Sequence, residues 1–259
     1  MRVAVGTTGV GPLVHVLSGP AVNAVVLTDV APAPGVPFTL VDSGYPGYAD
    51  AVRAAVTRLG LSWDDLAAVL VTHAHIDHVG ALPALLAGHA DVPVVTGGDE
   101  ARHARGEVRE SATAADLLPR LLQHGVAAWT AHILANGATR HVVLPQVTSA
   151  PEGQALDVPG HPVPLVTPGH TTGHTCFLLP EADAVITGDA LVTGHALSRL
   201  EGPQLLKGFF QHDVPALLES LALIESAPAS VVVPGHGPVW RGPVAEAVAL
   251  ARSRASLTL

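Results

Sequence analysis

Cysteine occurs once in this chain of 259 residues, as Cys176, so no internal disulfide can form. It sits in Thr175-Cys176-Phe177-Leu178-Leu179, which reads as a buried strand, and a small apolar core residue is the expected role. Aromatic residues supply only 3%, so the core must be mostly aliphatic. Charge is scarce at 14%, and cations are the scarcer sign: 13 Lys and Arg against 22 Asp and Glu, a formal net charge of −9. That balance argues against a nucleic-acid partner, which needs a basic surface, and disfavours an anionic membrane. No run of 18 or more apolar residues exists, so no transmembrane helix is expected. Near the start, Gly6-Thr7-Thr8-Gly9, Pro12 and Gly19-Pro20 interrupt any signal-peptide core, and a cytoplasmic location is the simplest expectation.

What the chain has is 48% hydrophobic residues, enough for a sizeable core, and β-branched runs that end in metal-ligand residues. Ala67-Ala68-Val69-Leu70-Val71 reads as a buried strand. Thr72-His73-Ala74-His75-Ile76-Asp77-His78-Val79-Gly80 follows it, with the pattern H-x-H-x-D-H. Gly80-Ala81-Leu82-Pro83-Ala84-Leu85-Leu86 then reads as the start of a helix, with Pro83 in or near its first turn. A strand-to-helix turn can aim several side chains at one point while two regular elements hold it. Imidazole with carboxylate suits zinc or iron better than calcium.

Three later pieces repeat the design. Pro168-Gly169-His170, Thr187-Gly188-Asp189 and Pro234-Gly235-His236 each follow a strand-like run, with glycine allowing the tight path that turns the ligand inward. The other strands expected are residues 23–28, 38–42 and 92–96. Residues 49–59 form an amphipathic helix with Val52, Ala55, Val56 and Leu59 on one face. Helices are also expected over 213–226 and 242–254. Residues 97–160 look like an insertion, with helical spacing over 114–124 and 126–135; a cap over a shallow site and extra core packing fit it equally well.

The set His73, His75, Asp77, His78, His170, Asp189 and His236 resembles the metallo-β-lactamase superfamily, and within it the glyoxalase II-like hydrolases. The resemblance runs over most of the chain, from about residue 23 to Gly237. It implies an α/β (α+β) fold, a four-layer αβ/βα sandwich of two mixed β-sheets flanked by helices, here as a single domain with a helical insertion at about 97–160. It implies that His73, His75 and His170 hold one metal, that Asp77, His78 and His236 hold a second, and that Asp189 bridges them. The cofactor expected is two zinc ions, with iron or manganese also compatible. The implied activity is a dinuclear metal-dependent hydrolase in which a bridging hydroxide, oriented by Asp77, attacks an ester, thioester or lactone carbonyl. The substrate is then a small molecule; a homodimer stays open.

Relatives within the superfamily can be sorted by residues. Asp189 stands where some zinc β-lactamases use cysteine. The 23 residues after His236 leave room for one helix, which argues against a glutathione thioester. Only Tyr45 and Tyr48 are available for the tyrosine that lactonases use near their metals, which argues against the usual lactonase arrangement. A mononuclear iron persulfide dioxygenase and a polyketide thioesterase or cyclase remain as alternatives, and a non-catalytic binding protein as a third that the intact ligand set disfavours. Asp42, in Val41-Asp42-Ser43-Gly44, is expected either to support a ligand histidine or to be a turn aspartate. His174 is expected to act behind the ligands. His132, His195 and His212 could touch substrate; His161, in a second Pro-Gly-His, is a decoy. His15, His89, His103, His124 and His141 lack motif context. Arg199 and Lys207 read as solvated loop charges, with an anionic substrate group as the other reading.

Overall fold

Two β-sheets stand face to face in the computed structural model, which describes residues 3–112, 114–123 and 125–259. His124, counted above in the helical spacing, lies outside the described residues. The first sheet runs in sequence order: β1 (Gly6–Gly9), β2 (Val14–Ser18), β3 (Asn23–Leu27), β4 (Phe38–Val41), β5 (Leu66–Leu70), β6 (Val94–Thr96) and β7 (Thr148–Ser149). It is antiparallel from β1 to β4 and parallel from β4 to β7. The second comprises β8 (Val163–Val166), β9 (Thr175–Leu179), β10 (Ala184–Gly188), β11 (Val231–Pro234) and β12 (Trp240–Arg241), laid side by side in that order. Only the β10–β11 pair is parallel. Both sheets are therefore mixed.

The helices are α1 (Ala49–Arg58), α2 (Ile76–Val79), α3 (Leu82–Leu85), α4 (Glu100–Ala104), α5 (Ala114–Leu117), α6 (Val126–Ala135), α7 (Val214–Glu225), α8 (Val244–Ser253) and α9 (Ala255–Thr258). Period-two alternation builds the layers. In β3, Val25 and Leu27 face the second sheet, while Ala24 and Val26 join a core shared with Val52, Ala55 and Val56 of α1. In β9, β10 and β11, Phe177, Leu179, Ala184, Ile186, Val231 and Val233 face the first sheet. Their neighbours Cys176, Val185 and Val232 pack under Leu217, Leu221 and Ile224 of α7 and Ala247, Val248 and Ala251 of α8. Three aliphatic cores thus separate four layers, α-β-β-α, the architecture expected.

Three local features differ from the sequence reading. Gly6-Thr7-Thr8-Gly9 forms an exposed edge strand with no apolar face to signal it; only its ladder to β2 defines it. The helical spacing over 114–124 yields one turn, α5, followed by a 3-10 turn at Leu118–Arg120. Pro119 has no amide N–H to continue an α-helix. After β5, two single-turn helices, α2 and α3, replace one longer helix, and Pro83 starts the second. Residues 97–160 also add β7 to the sheet, so part of that stretch extends the core and part, α5 and α6, lies over the strand ends.

Candidate metal centre

The C-terminal ends of β5, β8, β10 and β11 open on one edge between the sheets, and each delivers a ligand-type side chain there. Gly188 and Gly235 make the crowding possible. A Cβ on Gly188 would stand 2.6 Å from His174 Nε2, and one on Gly235 would stand 2.4 Å from Asp189 Oδ1. Asn23 ties the edge together across the sheets: its side chain donates to the carbonyls of Pro234 at 3.0 Å and Gly237 at 2.8 Å.

The seven residues singled out by sequence converge. His75 Nδ1 lies 3.0 Å from His170 Nε2, and His73 joins them in one group of three. Asp77, His78 and His236 form another, with His236 Nε2 3.5 Å from Asp77 Oδ2. Asp189 lies between: its carboxylate is 3.1 Å from His236, 3.4 Å from His78, 3.5 Å from His170 and 3.9 Å from His73. His73, His78, His170, Asp189 and His236 are buried.

The outer nitrogen of every imidazole is already taken, which assigns the tautomers. His78 Nδ1 donates to Asp42 Oδ2 at 2.8 Å. His236 Nδ1 donates to the Ala21 carbonyl, His170 Nδ1 to Gln211 Oε1 at 3.1 Å, and His75 Nε2 to the Glu110 carbonyl. Thr72 Oγ1 donates to Asp42 at 2.7 Å, leaving a lone pair for His73 Nδ1 at 3.1 Å. In the neutral rings that a metal ion requires, five lone pairs therefore point inward. His73 Nε2, His78 Nε2 and Asp189 Oδ1 are buried without a hydrogen-bond partner among the described residues. Buried polar atoms left in this way are costly unless something else binds them, and imidazole nitrogen beside carboxylate is the donor set of a transition-metal ion. The residues fit one or more such ions.

Electrostatics follows the same division. Burial, then the neighbouring imidazoles, hold His73 well below the usual histidine range, and burial does the same to His170. Burial would also depress His78, but the carboxylates of Asp189, Asp42 and Asp77 outweigh it and hold it well above. Burial would raise Asp189; His236 and His78 reverse this and hold it well below the carboxylate range.

Asp42 supports His78 and also accepts from Thr72 N at 2.9 Å; its φ of 58° shows a left-handed backbone kept for that position. His174 stands behind the ligands, accepting from Asp189 N at 3.1 Å. Sequence reasoning missed several supports. The carboxylate of Glu100 is fully buried and accepts from Ala74 N, His103 Nδ1 and Thr171 Oγ1. Glu110 holds His75 through its carbonyl and Thr172 through its carboxylate. The buried Tyr45 hydrogen-bonds Asp77.

Over the cluster opens a cavity of about 500 Å³, walled by Leu117, Leu121, Trp129, Ile133, Leu206 and Phe210 and floored by His75, Asp77, His170, Asp189 and His236. Tyr45 and His195 also line it. The other candidates lie elsewhere. His132 Nε2 meets Tyr48 Oη at 2.6 Å, Lys207 donates to the Leu257 carbonyl, and Arg199 does not line the cavity. His212 is near Glu110 at 3.8 Å and exposed His161 near Asp29 at 3.8 Å.

The family model described as the metallo-beta-lactamase superfamily matches residues 17–236. The chain belongs to this superfamily. It is 29% identical over 219 residues to a probable metallo-hydrolase, YflN, of Bacillus subtilis, covering 77% of this chain and 75% of that protein. It is also 29% identical over 175 residues to an atrochrysone carboxyl ACP thioesterase of Aspergillus fumigatus, covering 67% of this chain but 39% of that protein. Among solved structures, a metallo-beta-lactamase family protein from Thermus thermophilus superposes with a TM-score of 0.60 at 24% identity, covering 95% of this chain and 80% of that one. A Cronobacter sakazakii metallo-β-lactamase gives 0.66 at 18% identity over 97% and 93%. These two likenesses speak to the fold. As a member of the superfamily with metallo-hydrolase relatives, this protein is a metal-dependent hydrolase, and its His/Asp groups can hold metal. No helix among the described residues is long and apolar enough to cross a membrane.

Proposed function

We propose that this metallo-β-lactamase-fold protein is a dinuclear hydrolase of esters, thioesters or lactones that carry an apolar acyl group. His73, His75 and His170 would hold one metal ion and Asp77, His78 and His236 the other, with Asp189 shared. Zinc suits this donor set; iron and manganese accept it too. When bound, the pair would supply Lewis acidity and make hydroxide available near neutral pH.

The observation that carries the reading is the set of five inward lone pairs and two carboxylates at the floor of an apolar cavity. Apolar walls favour an acyl chain and exclude bulk water from the reacting carbonyl. Asp77 faces the cavity, where one carboxylate oxygen would serve the second ion and the other would orient an attacking water through a hydrogen bond, and Tyr45 fixes its position. The residues behind the ligands hold each ring in the tautomer that keeps its inner nitrogen unprotonated. A thioester is the first class to assay, because a relative named a thioesterase aligns over 67% of this chain.

The test is hydrolysis of octanoyl and acetyl thioesters, matched esters and a lactone by protein of known metal content. Metal-dependent turnover of at least one class is expected, abolished in His73→Ala/His75→Ala. Turnover that survives this double substitution would remove the metal mechanism.

A further inference from the structure

A second groove opens beside the apolar cavity and shares with it His75, Ile76, Ser111, Ala112, Ala138 and Thr139. It has a volume of about 250 Å³ and a different character. Arg109, Arg140, His103 and His141 line it, and no carboxylate does. The nearby cations Arg102 and Arg105 are both engaged by Glu107. Arg109 and Arg140 have no ion-pair partner among the described residues, and both are exposed. The one acidic neighbour in sequence, Glu110, turns its carboxylate away to Thr172. In a chain of net charge −9, two unpaired guanidinium groups at the mouth of the reaction site form a local positive field against the general one.

We propose that this groove binds an oxyanion on the leaving group of the substrate. The proposal rests on the hydrolase reading above and narrows it: the substrate has an apolar acyl arm for the larger cavity and an alcohol or thiol arm bearing phosphate or carboxylate for the groove. His75 lines both spaces, and the substrate would pass it with its carbonyl at the metal ligands and one arm on either side. Guanidinium groups suit both anions, since their donors match two oxygens at once. Arg109 and Arg140 act here as binding residues and take no part in bond breaking.

Binding without turnover separates this proposal from the hydrolase reading. Three thioethers with the same octyl chain and no carbonyl serve as probes in isothermal titration of the metal-loaded protein: S-octyl-coenzyme A, S-octyl-3-mercaptopropionate and S-octyl-N-acetylcysteamine. At least one anionic probe should bind about tenfold or more tightly than the neutral one, and raised salt should erode the difference. The anion that shows the preference, phosphate or carboxylate, names the source. In Arg109→Gln/Arg140→Gln the preference should shrink to about threefold or less, with affinity for the neutral probe and metal content unchanged. Arg140→Gln alone, well away in sequence from the Glu110 carbonyl that holds His75, should lose part of it. Equal binding of all three probes by the unsubstituted protein, or a preference that survives the double substitution, overturns the proposal. Absent hydrolysis with the anion preference intact would count against the hydrolase reading alone.

Discussion

The Asp42 carboxylate accepts from His78 Nδ1 at 2.8 Å and from both the amide and hydroxyl of Thr72, so a single side chain on the loop after β4 orients the turn that carries H-x-H-x-D-H. Asp42→Ala removes the acceptor that keeps the inner nitrogen of His78 free. Metal affinity should fall about 10- to 100-fold, read by competition with a graded chelator series. An unchanged affinity would mean that Asp42 only shapes the turn.

Trp129 on α6 walls the cavity and lies edge-on to His195 and Phe210, with ring centroids 5.5 and 6.3 Å away. Trp129→Ala should lower kcat/KM about tenfold for an octanoyl ester and less than about twofold for an acetyl ester, because only the longer chain reaches that wall. Metal content should not change. Equal loss on both substrates would show that the acyl chain lies elsewhere.

Much of this site was legible because His170, Asp189 and His236 each follow a strand-like run and a glycine, while His73, His75, Asp77 and His78 crowd into one turn after an apolar run, local signals that need no tertiary knowledge. The unbroken apolar runs Ala24 to Leu27 and Val231 to Val233 likewise marked strands, and both faces of each are buried. What was not legible acts across space. Glu110 serves His75 through a backbone carbonyl, which any residue type could supply, and Gln211 reaches His170 from 41 positions away. Glu100 stands in no motif, and two of its three donors, Ala74 and Thr171, come from other segments. The pair Arg109 and Arg140 is invisible for the same reason: 31 positions separate two residues that line one groove.

Burial, followed by the nearby His236, pushes His195 down to about 3. A histidine depressed in the folded state binds its proton more readily when unfolded. Its contribution to stability is full above the unfolded value near 6.5 and is lost as pH falls from there toward 3. Between pH 7 and 5, His195→Gln should therefore gain stability relative to the unsubstituted protein by on the order of 1 kcal/mol, discounted for the partly open ring. Urea denaturation at the two pH values measures it. A difference independent of pH would show that His195 does not titrate in that way.

Burial raises the Cys176 thiol to about 12. The side chain lies under α7, contacting Thr167 Oγ1 at 3.3 Å. At pH 8 the folded protein should resist iodoacetamide, while protein unfolded in urea should take up one equivalent. Rapid labelling of folded protein would contradict the burial of β9.

The dinuclear centre is tested most directly by elemental analysis of the purified protein beside its Asp189→Asn variant. The account predicts close to two metal ions per chain, zinc foremost, and fewer in the variant because the shared carboxylate is weakened. One iron per chain, unaffected by Asp189→Asn and accompanied by oxygen uptake with a persulfide, would contradict it.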